Sequence, residues 1–153
     1  MRRKEKEISL RSELDGIISK CQVCHLGLAL DNAPYVVPVN FGYDGEQIYF
    51  HTALKGKKTD ILALNDRICF QMECGTALVV RAPEPCNWSF SFESVIGLGR
   101  ARELTQPEEK KQGLMRIIEH YGGQPIPPDE KKMAAVRVWC IRIEEMTGKR
   151  SAP

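Results

Sequence analysis

The sequence predicts a mainly β fold, an antiparallel barrel with helices at its rim. Three observations predict it. Short runs rich in Val, Phe, Tyr and Leu recur along the chain, each about one strand long. Turn signals separate them, above all Asn32-Ala33-Pro34 and Asp44-Gly45. The order of periodicities is helix, strands, short helix, strands, helix, strand. Hairpin-connected strands in that order disfavour a doubly wound sheet.

Each element follows from its residues. Leu10, Leu14, Ile17 and Ile18 recur at helical spacing in a polar background, which predicts an amphipathic helix over residues 10–20. The period then changes, and Leu26 to Leu30, Tyr35 to Tyr43 and Gln47 to His51 read as strands. Gly56-Lys57-Lys58-Thr59-Asp60 opens a short helix that ends near Asn65-Asp66. Strands resume at Ile68 to Glu73, at Thr76 to Arg81, and from about Phe90 to Glu103. Thr105 or Gln106 caps a helix with Pro107 in its first turn. Leu114, Ile117, Ile118 and Tyr121 give its buried face, and Gly122-Gly123 ends it. Pro125, Pro127 and Pro128 mark a loop, Asp129 to Ala134 a brief helical turn, and Val136 to Glu145 the last strand. No repeat or linker interrupts the chain. Residues 1–153 therefore read as a single domain, with flexible tails at 1–7 and 149–153.

Composition narrows the function. The chain is 42% hydrophobic and 27% charged, a globular balance that can bury one good core. A net charge of +2 argues against nucleic acid or a membrane surface as partner, and the basic ends Arg2-Arg3-Lys4 and Lys149-Arg150 read as solvated. No run approaches the roughly 20 apolar residues of a membrane span. The opening Met1-Arg2-Arg3-Lys4-Glu5-Lys6-Glu7 lacks the apolar stretch of a signal peptide, so a cytoplasmic protein is expected. Its six cysteines are then thiols or ligands rather than disulfides.

The segment Ala33-Pro34-Tyr35-Val36-Val37-Pro38-Val39-Asn40-Phe41-Gly42-Tyr43, the hairpin Asp44-Gly45, Ile48-Tyr49-Phe50-His51-Thr52-Ala53 and Gly56-Lys57-Lys58 together resemble the FMN-binding core of the pyridoxamine 5'-phosphate oxidase-like split barrels. The fuller string is similar to the nitroimidazole-resistance (Nim) branch. Cys86-Asn87-Trp88, Glu93 to Ala101 and Glu144 to Lys149 extend the likeness, which spans about residues 8 to 149 in order. The resemblance implies an FMN-binding split β-barrel and a homodimer whose cofactor sites are completed across the two chains. It also implies a flavin-dependent oxidoreductase of nitroreductase type.

Physical chemistry agrees at several positions. Lys57 and Lys58 at a helix start put two cations and free backbone N–H groups in one place, a suitable phosphate cradle, and Gly56 lets the backbone come close. The resemblance lays Pro38, Val39, Asn40 and Phe41 along the edge of the flavin ring. Asn40 has an amide that can pair with ring atoms, or it can simply face outward. Phe41 reads as core unless it shares the cofactor's face. His51 and Thr52 end the next strand, where ribityl and phosphate would pass. The family has a histidine lining the flavin site at the position of His51. Ser94 and Trp139 are candidates to reach the site from the partner chain, Trp139 reading more readily as core or interface.

Cys21-Gln22-Val23-Cys24-His25 spells a c-type haem attachment motif, but no export signal accompanies it and neither Met115 nor Met133 is placed as a second ligand. Cys21, Cys24 and His25 with Cys74 or Cys86 could hold a metal, yet a lone Cys-x-x-Cys is half a zinc signature. Buried thiols filling strand positions are the favoured reading, and no metal is expected. The expected function is FMN-dependent reduction of a small nitroaromatic such as a 5-nitroimidazole, with His51 as the one proton donor near the ring. The rival is a non-enzymatic flavin- or haem-binding module on the same fold. Pyridoxamine-phosphate oxidation fits poorly, since arginine-rich substrate-phosphate elements are missing near the C-terminus.

Overall fold

The computed structural model describes residues 4–124 and 126–151. After a 3₁₀ turn at Lys4–Lys6 come β1 (Glu7–Ile8), α1 (Arg11–Ile18), β2 (Cys24–Leu30), β3 (Ala33–Val39), β4 (Phe41–Tyr43) and β5 (Gln47–Ala53). Then follow α2 (Lys57–Leu64), β6 (Arg67–Val79), a 3₁₀ turn at Pro85–Asn87, and β7 (Ser89–Glu103). The chain ends with α3 (Pro107–His120), α4 (Glu130–Ala134) and β8 (Val136–Ser151).

All pairings are antiparallel, in the order β3-β2-β6-β7-β8-β5-β4, with β1 added to β8. The two edge strands of that path, β3 and β4, are successive in the chain and separated by Asn40 alone. The backbone itself therefore joins the two sheet edges at one end and leaves them unpaired at the other. That is a barrel with a split side, the fold class expected.

Alternation decides what fills it. Leu26, Phe41, Ile48, Phe50, Phe70 and Met72 are wholly buried, and α1 caps the barrel with Leu14, Ile17 and Ile18. A second, smaller cluster of Leu104, Val138 and Cys140 lies beneath α3. The Asp44 carboxylate accepts the backbone N–H groups of Glu46 and Gln47 at 2.9 and 2.7 Å, which fixes the β4–β5 hairpin where Asp44-Gly45 predicted it.

The structure departs from expectation in several places. The run from Tyr35 to Tyr43 is two strands, because Asn40 is where the chain crosses from one edge of the sheet to the other. The turn before it sits at Asp31 and Asn32, both at positive φ, one residue earlier than the Asn32-Ala33-Pro34 signal. The two strands expected at 68–73 and 76–81 are the single β6, with a register shift between Cys74 and Ala77 where Gly75 adopts φ +65°. The expected tails are partly strand. Glu7 and Ile8 pair with Lys149 and Gly148, and Ser151 is buried, because β8 runs on beside β7. Residues 1–3 and 152–153 of those tails, and Pro125 of the expected loop, lie outside the described residues.

Candidate functional site

The end of β5 and the start of α2 lie on the split side and carry His51, Thr52, Lys57 and Lys58. β5 pairs with β8 so that His51 lies opposite Val138 and Thr52 opposite Arg137. Period-two alternation turns Thr52 inward, where it is 3% exposed, and His51 outward. The Thr52 hydroxyl donates to the Ala53 carbonyl at 2.9 Å and accepts the Trp139 indole N–H at 3.3 Å, and the Thr59 hydroxyl lies 3.4 Å away. Thr52 is thus the knot that ties strand to helix. Its hydroxyl is already engaged within the chain.

The helix start is different. Gly56 precedes α2 at φ +138°, and among the described residues no side chain caps that end. The first internal bond runs from Asp60 N to Gly56 O at 2.9 Å, so the amides of Lys57, Lys58 and Thr59 have no carbonyl within the helix. A Cβ built on Gly56 would meet nothing within 4 Å, which leaves open space beside those amides. Lys57 Nζ stands 4.8 Å from the centroid of the Tyr35 ring on β3, a cation–π contact that bridges the split. Burial lowers the Lys58 ammonium from its ordinary value. Burial, and then the charge of Lys58, lowers the His51 imidazole. His51, Lys57, Lys58 and Tyr35 therefore form one basic cluster at the mouth of the split.

The ring-edge strand is only partly available. Val39 is 7% exposed and Phe41 0%, both within the core. The Phe41 ring packs on His120 at 4.1 Å between centroids, and its N–H donates to the Tyr121 hydroxyl at 3.2 Å. Tyr121 in turn donates to the Gln22 carbonyl at 2.6 Å, so the end of α3 holds this stretch shut. Phe41 is therefore a core residue, as the sequence favoured, and its amide is taken within the chain. Asn40 is exposed at the strand break and makes no hydrogen bond among the described residues. Pro38 faces the opposite side of β3, beside His25 in a cavity of about 570 Å³.

The last two candidates stand on β7 and β8. Ser94 pairs with Lys149, whereas His51 pairs with Val138, at the other end of β8. Trp139 is 4% exposed and lies nearly parallel to Phe50 at 6.4 Å, with the Arg137 guanidinium 5.0 Å from its ring. Arg137 is held there by Glu103. Trp139 is thus a core residue of its own chain, in line with its reading as core or interface. The inward register of β8 leaves it no other place.

Sequence reasoning missed Tyr35 as a member of the cluster. Tyr35 shares a strand face with Val37 and Val39, and that alternation was the signal that could have found it. The cysteines gather no metal ligands: among the described residues no group of three or more His, Cys, Asp or Glu is placed to hold an ion. Cys86 is exposed on its turn while Cys21 and Cys24 are buried.

Comparison with known proteins adds the family. The model of the pyridoxamine 5'-phosphate oxidase family matches residues 11–150. An uncharacterized protein of Rhizobium meliloti is 24% identical over 152 residues, covering 91% of either chain. The crystal structure of a candidate 5-nitroimidazole antibiotic resistance protein from Bacteroides thetaiotaomicron is 30% identical, with a TM-score of 0.82 over 94% of this chain and 85% of that one. Two further structures share the fold at lower identity. A flavocytochrome of Azotobacter vinelandii is 21% identical with a TM-score of 0.83 over 100% of this chain and 72% of its own. A FAD and heme binding protein of Mycobacterium smegmatis is 19% identical with a TM-score of 0.86 over 97% and 74%. No helix among the described residues is long and apolar enough to cross a membrane.

Proposed function

The chain belongs to the pyridoxamine 5'-phosphate oxidase family, and from that premise we propose that it binds FMN at the mouth of the split and reduces small nitroaromatic compounds of the 5-nitroimidazole kind. The observation that carries this reading is the uncapped start of α2. Two lysines and three leading amides face open space beside Gly56. A phosphate dianion fits that set in charge, donor number and room. Lys57, Lys58 and the amides of Lys57 to Thr59 would hold the phosphate, with Tyr35 positioning Lys57. Asn40 offers its unpaired amide to a ring edge. Likeness to the nitroimidazole-resistance structure, at 30% identity over most of both chains, supports the substrate class.

When bound, FMN supplies the electrons for nitro reduction. The chain's own residues then bind, orient and move protons. The Lys57 ammonium pairs with the phosphate as a point charge and is kept at the split by Tyr35. The His51 imidazole, neutral at pH 7 because burial and Lys58 disfavour its cation, is poised to accept and pass on a proton at the mouth of the site.

We further propose a homodimer. Leu78, Val80, Trp88, Phe90, Ile96 and Leu98 are large apolar residues of β6, β7 and the turn between them, and all are 39% or more exposed. A second copy of the chain would cover them and bring Ser94 to a neighbour's site.

The visible absorbance spectrum of the purified protein tests the reading. Twin flavin bands that disappear on reduction, restored by a 5-nitroimidazole, are expected. A Soret band alone, or protein that takes up no FMN on titration, overturns it.

A further inference from the structure

The cysteine motif finds its partner elsewhere in the chain. Cys21 follows α1, and its Sγ donates to the Ile17 carbonyl at 3.3 Å. Cys74 stands at the irregularity of β6, and its Sγ reaches the same carbonyl oxygen at 4.0 Å. Two thiols that share one acceptor are neighbours, although one follows a helix and the other lies on a strand. Cys24, which the motif pairs with Cys21 by spelling, is fully buried and directs its Sγ to the carbonyl of His25 at 4.0 Å. The Cys21–Cys74 pair is not sealed off. Cys74 is half-buried and lines the cavity of about 570 Å³ with Lys20, His25 and Glu73. Gly75 beside it adopts φ +65°, and a side chain there would meet nothing within 4 Å, so the backbone next to Cys74 has room to turn.

We propose that Cys21 and Cys74 form a reversible disulfide by exchange with a small-molecule disulfide entering this cavity. Cys74, the thiol the cavity reaches, gives up its proton and attacks one sulfur of the small disulfide. That S–S bond breaks, one small thiol leaves, and Cys74 carries a mixed disulfide. Cys21 then loses its proton and attacks the Cys74 sulfur, forming the internal bond and expelling the second small thiol. Two protein thiols are oxidised to one disulfide, one small disulfide is reduced to two thiols, and the two protons leave with them. Burial first, and the neighbouring Cys74 second, hold the Cys21 thiol up to about 12 while both thiols are free. The product joins the end of α1 to β6 at the irregularity from which β6 runs out to its exposed end. This inference is independent of the flavin reading, since it concerns thiols outside the basic cluster.

The test uses full-length Cys86→Ser protein, which removes the exposed cysteine. It is incubated with oxidised glutathione, blocked with iodoacetamide, digested and mapped by mass spectrometry. The expected product is a peptide pair joined through Cys21 and Cys74, with no glutathione retained, a mass lower by two hydrogens, and full reversal by dithiothreitol. Adding Cys24→Ser should leave the bond intact, and adding Cys74→Ser should abolish it. A bond between Cys21 and Cys24, a glutathione adduct that persists on Cys74, or complete alkylation of every thiol overturns the proposal. The mapping of the single variant decides this whether or not the others fold.

Discussion

His51 shows how far one side chain's setting governs its chemistry. Burial first, and Lys58 second, lower its pKa from the ordinary 6.5. Between that depressed value and 6.5 the native state binds fewer protons than the unfolded chain. Its contribution to stability is therefore intact above about pH 6.5 and is lost as the pH falls through that window. His51→Gln should flatten the acid limb of the urea-unfolding profile, and an unchanged limb would show that another group titrates there. Above about pH 7, where the phosphate is already a dianion, its charge opposes that of Lys58 at His51, so FMN should bind with proton uptake. Calorimetry in two buffers of different ionisation enthalpy measures that uptake, which His51→Gln should reduce. The same variant should keep most FMN affinity while slowing nitroimidazole turnover. Parental turnover across that pH range removes the proton-transfer role. At the lysines, Lys57→Ala with Lys58→Ala should weaken FMN by several kcal/mol at most, each charge-assisted contact contributing roughly 1.5–3 kcal/mol. Riboflavin, without the phosphate, should bind parent and variant alike. Equal FMN affinity in both would locate the phosphate elsewhere.

At the scale of elements, the site depends on how α3 closes the barrel. Gly42 on β4 lies so near α3 that a Cβ there would meet the Arg116 backbone and come within 2.6 Å of Ile117 N. Gly42→Ala must therefore push the helix outward, and overpacking of that kind costs roughly 1–3 kcal/mol. The helix carries His120 and Tyr121, which hold Phe41 and Cys21 by its ring, amide and carbonyl contacts. The substitution should lower the melting temperature and weaken FMN together, although no ligand atom is touched. A stable variant with parental FMN binding would show that α3 and the split are independent. Legibility at this scale was uneven. The β4–β5 hairpin could be read because Asp44 supplies its own backbone contacts. The continuation of β8 to Ser151 could not, because its pairing with β1 and β7 is long-range and Lys149-Arg150 looks solvated from the sequence alone.

At the scale of the whole molecule, six large apolar side chains stand on or beside one hairpin, from Val80 at 57% exposed to Leu98 at 39%. A single soluble chain rarely leaves such a surface bare. Light scattering should give twice 17.3 kDa for the parent. Ile96→Glu with Leu98→Lys should shift the particle toward 17.3 kDa and reduce FMN retention, because each site would lose the neighbour's contribution. A dimer that survives both charges places the interface on another face. A monomer that keeps its FMN shows the site to be complete in one chain.

By itself the sequence determined the fold class and most element positions. Those are properties of local period, turn chemistry and a helix start that two lysines follow. Only the tertiary structure decided which candidates are buried and which are exposed. A strand residue's side is set by the register of its neighbours, so Thr52, Phe41 and Trp139 turned inward while Tyr35 joined Lys57 across the split. Cys21 likewise shares the Ile17 carbonyl with Cys74, because packing of α1 on β6, not spacing along the chain, brings both sulfurs to it.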